Sequence, residues 1–561
     1  MRRLLTAALF LALALPAAGR TPGPVRARHA MVVTAQHLAT RVGVDVLRRG
    51  GNAVDAAVAV GYALAVVHPC CGNIGGGGFM TLHLANGKNL FLNFRERAPL
   101  AATADMYLGP DGRVDHSKSL WSYQAVGVPG TVMGLDAALR RYGTMSRAEV
   151  MAPAIRLAKQ GYVLEPGDAK IFAHGKKRFQ RDAAAARIFM PGGHVPGAGA
   201  RLRQPQLAKT LELIAREGDR AFYDGPIAKK IVAASKAHGG LLTMKDFRRY
   251  SVEWMRPVTC SYRGYRIVSA PPPSSGGATL CEMLNVLSGW PQFPGYAFHS
   301  VRSVHDMVEA MRFAYADRNT FLGDPDFVHN PLRRLLSPQH AAWIRAQIPA
   351  DRAVPSSRVH GSLAAHEGRH TTQYSIVDGQ GNAVSVTYTL NSWFGTGLVA
   401  PGTGILLNNE MNDFTAKPGV PNQFGLVQGK VNAIAPGKRP LSSMTPTIVL
   451  HGGRAFMVTG SPGGSTIINT TMETILNVVD RGMNVQQSVD APRIHQQWLP
   501  DKVFLEPHAL APGVEAALEK MGYRFKQAGP WGAAEAIVVT PSGVYEGAND
   551  RRRPAGLASG Y

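Results

Sequence analysis

Cysteine is scarce: there are four in 561 residues, too few for the dense disulfide framework that staples small secreted domains. Cys70 and Cys71 are adjacent and poorly placed to pair with each other. Cys260 with Cys281 is the other pairing, and the sequence leaves the disulfide state of all four open. None has the paired spacing of a zinc site. Acidic residues are also few, 38 Asp+Glu against 61 Lys+Arg, for a formal net charge of +23. Such an excess suits nucleic acid or an anionic membrane. The basic residues are scattered, however, apart from short runs such as Lys176-Lys177-Arg178 and Arg551-Arg552-Arg553, and no stacking aromatics interleave them. No nucleic-acid partner is therefore expected. Past the N-terminus no apolar run reaches the roughly 18 residues of a spanning helix, and no linker, acidic tract or fixed-period repeat divides the chain.

What is present begins with an export signal. Arg2 and Arg3 precede an apolar run from Ala7 to Leu15, and Pro16-Ala17-Ala18-Gly19 offers small residues to a peptidase. No cysteine follows to carry a lipid. Residues 1–19 are thus read as a signal peptide, the mature chain as starting near Arg20, and the location as periplasmic or secreted. The 45% hydrophobic content is enough for a large core, while 61 Gly and 38 Pro imply many tight turns.

Apolar residues recur at helical spacing from Gln36 to Leu47, Gly50-Gly51 stop that helix, and Asn52 caps a second one running to Val67. The run Gly72-Asn73-Ile74-Gly75-Gly76-Gly77-Gly78 precedes a strand at Met80 to Leu84. It lacks the G-K-[ST] ending of a phosphate loop and sits before its strand, so it is read as a tight turn where backbones approach closely. Ser303 to Thr320 forms a long amphipathic helix, and residues 350 to 369 read as an exposed polar loop.

The pattern then changes. Tyr374 to Val377 and Ala383 to Thr389 alternate as strands about Asp378-Gly379-Gln380-Gly381-Asn382, a hairpin signal. Folding about Gln380 sets Thr371 opposite Thr389, with Cβ atoms about 5 Å apart. Just upstream, His366-Glu367-Gly368-Arg369-His370 matches the H-E-x-x-H of zinc proteases. That chemistry needs both histidines on one helix face, whereas this segment holds a glycine and runs into two β-branched threonines. No metal and no cofactor are expected.

From Thr371 onward, Thr-Thr-Gln-Tyr-Ser-Ile-Val-Asp and Gly-Asn-Ala-Val-Ser-Val-Thr-Tyr-Thr-Leu-Asn resemble the start of the small subunit of γ-glutamyltransferases. The resemblance extends over nearly all of the mature chain. It includes Asn93 to Pro99 (NFRERAP), Pro271 to Gly277 (PPPSSGG), Tyr315 to Arg318 (YADR), Leu406 to Asn409 (LLNN), Arg439 to Met444 (RPLSSM) and Thr459 to Gly464 (TGSPGG). It implies an α+β fold, the four-layer αββα sandwich of the N-terminal-nucleophile hydrolase type. It further implies a precursor cut at 370/371 into a large subunit, 20–370, and a small catalytic subunit, 371–561, intertwined as one domain.

The resemblance makes Thr371 the nucleophile and Thr389 its partner, with the backbone N–H groups of Gly463 and Gly464 as oxyanion donors. The chemistry has its own logic. An internal threonine hydroxyl is a weak nucleophile and needs a base. Cleavage frees an α-amine on that same residue, with a pKa of about 7.7 to 8.0 against about 10.4 for lysine, so much of it is neutral near pH 7 and can take the hydroxyl proton. A γ-glutamyl group carries an α-carboxylate and an α-ammonium. Arg95, Ser442 and Ser443 match the family positions for the first, and Asp413, Glu410 and Asn391 those for the second. The implied substrates are glutathione and other γ-glutamyl compounds. Water, an amino acid or a dipeptide would accept the group. Residues 418 to 440 resemble a lid loop in which Phe424 stands where some members have tyrosine, and Gln373 stands where histidine is frequent.

Three rivals remain. An acylase for glutaryl side chains shares the fold, but its substrate lacks the ammonium that Asp413 would meet, and a buried carboxylate without a cation is costly. A periplasmic amino-acid-binding protein would not need both threonines and the glycine pair. A zinc protease would lose activity to chelator and show no precursor cleavage.

Overall fold

The computed structural model describes residues 23–359 and 371–561. The signal peptide at 1–19 and the His366 to His370 motif lie outside these residues. Strand Thr372–Val377 pairs antiparallel with Ala383–Thr389, matching Thr372 to Tyr388, Gln373 to Thr387 and Ser375 to Ser385. This is the register expected for a fold about Gln380. Neither strand has a solvent face: all residues of both are buried.

Alternation along the two strands explains why. Tyr374 and Tyr388 point to one side, where their hydroxyls donate to the carbonyls of Ala57 (3.0 Å) and Gly61 (2.9 Å) in helix Ala53–Val67. Ser375 and Ser385 point to the other side and donate to the carbonyls of Glu535 (2.7 Å) and Thr459 (3.0 Å) in a second sheet. Gln373 also occupies this inter-sheet layer. Its Oε1 accepts from Thr387 Oγ1 at 2.6 Å and its Nε2 donates to Ser385 Oγ at 2.9 Å, so its amide is tied into the packing of the sheets.

The first sheet has seven strands in the order Leu557–Gly560, Met31–Thr34, Thr372–Val377, Ala383–Thr389, Gly77–His83, Asn89–Phe94, Glu253–Met255. The second, also seven-stranded, runs Val25–Ala27, Tyr545–Asn549, Glu535–Val539, Arg454–Thr459, Thr447–His451, Tyr265–Ser269, Val258–Tyr262. Val33, Val268, Ile448, Val458 and Ile537 pack between them. Helices cover both outer faces. Ala53–Val67, buried at all of its 15 residues, lies against the first sheet, and Gly276–Ser288, Val301–Phe321 and Ile467–Val479 form one core with the second. The result is the expected αββα sandwich. Each buried Val or Leu contributes about 1.5 to 3 kcal/mol, which makes these layers the main source of stability.

Local signals behave as the sequence implies, with three corrections. The helix read as amphipathic at Ser303 to Thr320 runs Val301–Phe321 and has no solvent face from Ser303 to Asn319, because it lies within the core outside the second sheet. Gln36 caps helix His37–Arg48, and Asn52 makes a capping box with Asp55. The strand expected at Met80 to Leu84 begins earlier, at Gly77, because Gly77 and Gly78 pair with Thr389 and Tyr388. Gly76 shows the close approach: a Cβ there would sit 2.0 Å from the carbonyl oxygen of Thr389. The polar stretch from 350 is not simply exposed. Ser356 is buried, accepts from Arg312 Nη1 (2.6 Å) and donates to the carbonyl of Trp498 (2.6 Å). Cys260 and Cys281 form a disulfide that ties strand Val258–Tyr262 to helix Gly276–Ser288.

Candidate active site

The inter-sheet face of the hairpin ends at its two threonines. Thr371 Oγ1 donates to Thr389 Oγ1 at 3.3 Å, and both residues are buried. Thr389 Oγ1 also accepts from the backbone N–H of Asn391 (2.8 Å), and Asn391 sits in the left-handed region at φ 73°. Its side-chain amide donates to the carbonyl of Asn409 at 3.0 Å. The turn after Thr389 is thus held to both the hydroxyl and the segment carrying the acidic residues.

These threonines line a cavity of about 20 Å³ together with Arg95, Asn391, Glu410, Asp413, Ser442, Ser443 and Gly464. Nine of the ten site residues expected from the sequence therefore meet at one place. The tenth, Gly463, is the neighbour of Gly464 and lines a second, larger cavity. Gly463 has φ 144° and Gly464 φ 58°, conformations that favour glycine. A Cβ on Gly463 would lie 2.4 Å from Thr466 Oγ1. The pair leads through the short turn Gly464–Thr466 into helix Ile467–Val479, whose positive N-terminal end faces the cavity at Ile467.

Arg95 follows strand Asn89–Phe94 and is fully buried. Its Nε donates to the carbonyl of Pro440 (3.2 Å), Nη1 to Glu410 and Nη2 to Asp413 Oδ2 at 2.5 Å. Glu410 and Asp413 come from one turn of 3₁₀ helix, where positions three apart face the same way. Asn408 fixes that turn: its Nδ2 donates to the carbonyls of Gly75 and Gly127, both at 2.8 Å, and its Oδ1 accepts from Glu410 N at 3.0 Å. Glu96 adds a third carboxylate, 3.6 Å from Arg95 Nη1.

One cation among three buried carboxylates sets the electrostatics. Burial alone would lower the Arg95 pKa, but Glu410, Asp413 and Glu96 hold it above its ordinary value. Burial raises Glu410 well above the usual carboxylate range and raises Asp413 as well, against the opposing pull of Arg95. Glu96 is pushed up to about 7 by burial, again despite Arg95.

Ser442 and Ser443 are held against the Pro271 to Gly277 segment, where Ser442 N donates to the carbonyl of Pro273 (2.8 Å) and its own carbonyl accepts from Ser275 Oγ (2.7 Å). Ser443 Oγ accepts from Arg318 Nη2 at 3.1 Å. Arg318 is a wall residue with no role expected from sequence. It is fully buried in helix Val301–Phe321, and burial lowers its pKa to about 10. Phe424 and Leu426, from the segment resembling a lid, complete the apolar side.

Two clusters elsewhere bring three potential metal ligands together: His68, Cys70 and Cys71, and Glu282, Asp317 and His340. Neither lines the cavity. In the second, His340 Nε2 is already bonded to Asp317 Oδ2 at 2.7 Å. Among the described residues no helix is long and apolar enough to cross a membrane.

Comparison with known proteins agrees with this architecture. A glutathione hydrolase proenzyme of Pseudomonas sp. (strain A14) is 54% identical over 548 residues, covering 96% of this chain and 95% of that protein. The glutathione hydrolase proenzyme of Escherichia coli (strain K12) is 47% identical, covering 96% and 93%. The crystal structure of cephalosporin acylase from Bacillus halodurans superposes with a TM-score of 0.85 at 29% identity, covering 99% of each chain. The family profile described as Gamma-glutamyltranspeptidase matches residues 39–560, and the chain belongs to that family.

Proposed function

We propose that the chain is a precursor that cleaves itself between His370 and Thr371 and then acts as a glutathione hydrolase and γ-glutamyltransferase. The observation carrying this reading is the 3.3 Å contact between the Thr371 and Thr389 hydroxyls on the wall of the cavity that holds Arg95 and Asp413. Large and small subunits, 20–370 and 371–561, are its products. The export signal supports a periplasmic or secreted location.

The α-carboxylate of the γ-glutamyl group binds Arg95, Ser442 and Ser443. Its α-ammonium binds Asp413, Glu410 and Asn391. Thr371 Oγ1 attacks the γ-carbonyl carbon, and its proton passes to the Thr371 α-amine. Thr389 orients the hydroxyl. The oxyanion is met by the N–H groups of Gly463 and Gly464, at the positive end of helix Ile467–Val479. The C–N bond then breaks and the α-ammonium returns the proton to the leaving amine, Cys-Gly when glutathione is the donor. Water or an acceptor amine next attacks the γ-glutamyl ester and loses a proton to the same α-amine, which passes that proton to Thr371 Oγ1 as the C–O bond breaks. A cavity of about 20 Å³ holds roughly one water, so its wall must open to admit substrate, and Phe424 and Leu426 are the part of that wall supplied by the lid-like segment.

Mass spectrometry after incubation with a γ-glutamyl donor tests the assignment. A γ-glutamyl adduct on the peptide beginning at Thr371, absent in Thr371→Ala, is expected. Turnover by an uncut chain at full rate would overturn it.

A further inference from the structure

Helix Ala53–Val67 ends in a turn whose side chains the transfer chemistry does not use. His68 N donates to the carbonyl of Leu64 (2.9 Å), and the N–H groups of Cys71 (3.1 Å) and Gly72 (2.9 Å) both return to the carbonyl of His68. This curl gathers three side chains. Cys70 Sγ lies 3.4 Å from His68 Nε2 and 2.7 Å from Cys71 Sγ, and one donor atom from each residue lies within 4.8 Å of the other two. All three residues are buried. A bond between the sulfurs would be strained: the peptide joining them is trans, which sets their Cα atoms about 3.8 Å apart, whereas disulfides span about 4.4 to 6.8 Å.

Two thiolates and an imidazole are soft donors. With no oxygen ligand they suit copper(I) or zinc rather than calcium or magnesium. Coordination number separates the two candidates. Zinc completes a set of four, taking the fourth from protein or water, but this cluster offers three and its burial keeps solvent away. Copper(I) is satisfied by three. Arg553, buried and hydrogen-bonded to Cys71, offsets negative charge on the sulfurs. The turn also supports the catalytic hairpin. Asn73 Nδ2 donates to the carbonyls of Cys71 and Thr389, both at 2.9 Å, and Phe394 N donates to the carbonyl of Cys70 at 2.7 Å.

We propose that His68, Cys70 and Cys71 bind one copper(I) ion, which braces the turn beneath Thr389. Binding releases the two thiol protons to solvent. None of the three residues lines the Thr371 cavity, so the site is independent of the γ-glutamyl transfer reading.

The full chain, expressed in copper-supplemented medium and purified without oxygen, should carry one copper by elemental mass spectrometry, with two sulfur neighbours and one nitrogen by X-ray absorption. Metal-free protein should take up the same single ion when titrated with copper(I) in competition with bicinchoninate. Loss of an outer-shell partner already costs a metal site about 10- to 100-fold in affinity, so His68→Asn should weaken binding about 100-fold or more. Cys70→Ser combined with Cys71→Ser should abolish it. Loading should raise the midpoint of thermal unfolding in the parent and not in these variants. His68→Asn keeps both thiols and keeps the test open if the double variant fails to fold. Equal copper in the folded variants, zinc in place of copper, or no copper by either route overturns the site and leaves γ-glutamyl transfer standing. Binding with no rise in the midpoint overturns the bracing role.

Discussion

Arg95 Nη2 donates to Asp413 Oδ2 at 2.5 Å across 318 positions of sequence, and both side chains are buried beside Thr371. In the proposed function the pair presents a cation for a carboxylate and a carboxylate for an ammonium; an α-amino acid carries both charges, whereas a glutaryl group carries only the carboxylate.

Asp413→Ala separates these possibilities. Truncating one partner of a buried, hydrogen-bonded charge pair costs about 2 to 5 kcal/mol, so kcat/KM for γ-glutamyl-4-nitroanilide should fall about 100-fold, which corresponds to about 3 kcal/mol. Selectivity over glutaryl-4-nitroanilide should shrink in parallel, because only the γ-glutamyl substrate loses a contact. If the unaltered enzyme already favours the glutaryl compound, Asp413 does not recognise an ammonium.

Thr389 is expected to act on Thr371 rather than on the substrate. Its hydroxyl meets Thr371 Oγ1 and accepts from Asn391 N. Thr389→Val removes a neutral bond worth about 0.5 to 1.5 kcal/mol and orphans a buried N–H, a further penalty of about 1 to 3 kcal/mol. A 10- to 100-fold loss in kcat is expected, with KM for the donor little changed and Thr389→Ser near normal. Steady-state kinetics on fully processed protein checks this. A change confined to KM would count against an orienting role.

Glu96 should make donor binding pH-dependent. It lies 3.6 Å from Arg95 Nη1, both of its oxygens lack hydrogen-bond partners among the described residues, and burial raises its pKa to about 7. The charged groups around it are Arg95, Glu410 and Asp413, with Tyr250, Arg97, Arg439 and Glu253 on the adjoining side. Below about pH 7 Glu96 is neutral and Arg95 is freer to hold a substrate carboxylate. As pH rises through 7 a further negative charge competes for it. KM for a γ-glutamyl donor should therefore climb above pH 7, and Glu96→Gln should flatten that rise while leaving intact the kcat profile set by the Thr371 amine.

Much of this site is legible in the sequence because its geometry is local. Twofold alternation and a turn centred on Gln380 suffice to oppose Thr371 and Thr389, and capping chemistry locates helix Ala53–Val67. The parts that escape reading depend on distant partners. Arg318 lies in a helix buried on nearly every side, where periodicity no longer separates wall from core. Gln373 finds Ser385 and Thr387 across the hairpin, and its role appears only once the sheets are stacked. Ser356 looks like loop composition until Arg312 and Trp498 close around it. The basic runs at 176–178 and 551–553 look like scattered surface charge, although Arg178, Arg552 and Arg553 face the same chamber.

A second titrating cluster should make stability pH-dependent. His340 Nε2 lies 2.7 Å from Asp317 Oδ2 and 3.5 Å from Glu282 Oε1, joining helices Gly276–Ser288, Val301–Phe321 and Pro338–Ala346. Hydrogen bonds to Asp317 and Glu282 raise the His340 pKa to about 9, while burial holds Glu282 well above the usual carboxylate range. Both groups bind protons more tightly folded than unfolded, so their stabilisation is lost as pH rises. For His340 it is complete below about 6.5, the unfolded value, and fades as pH passes through about 9. The midpoint of thermal unfolding should therefore decline between pH 6.5 and 9. His340→Gln should lower the midpoint at pH 6.5 and remove most of the slope across that window, whereas a variant that keeps the slope would place the titration elsewhere.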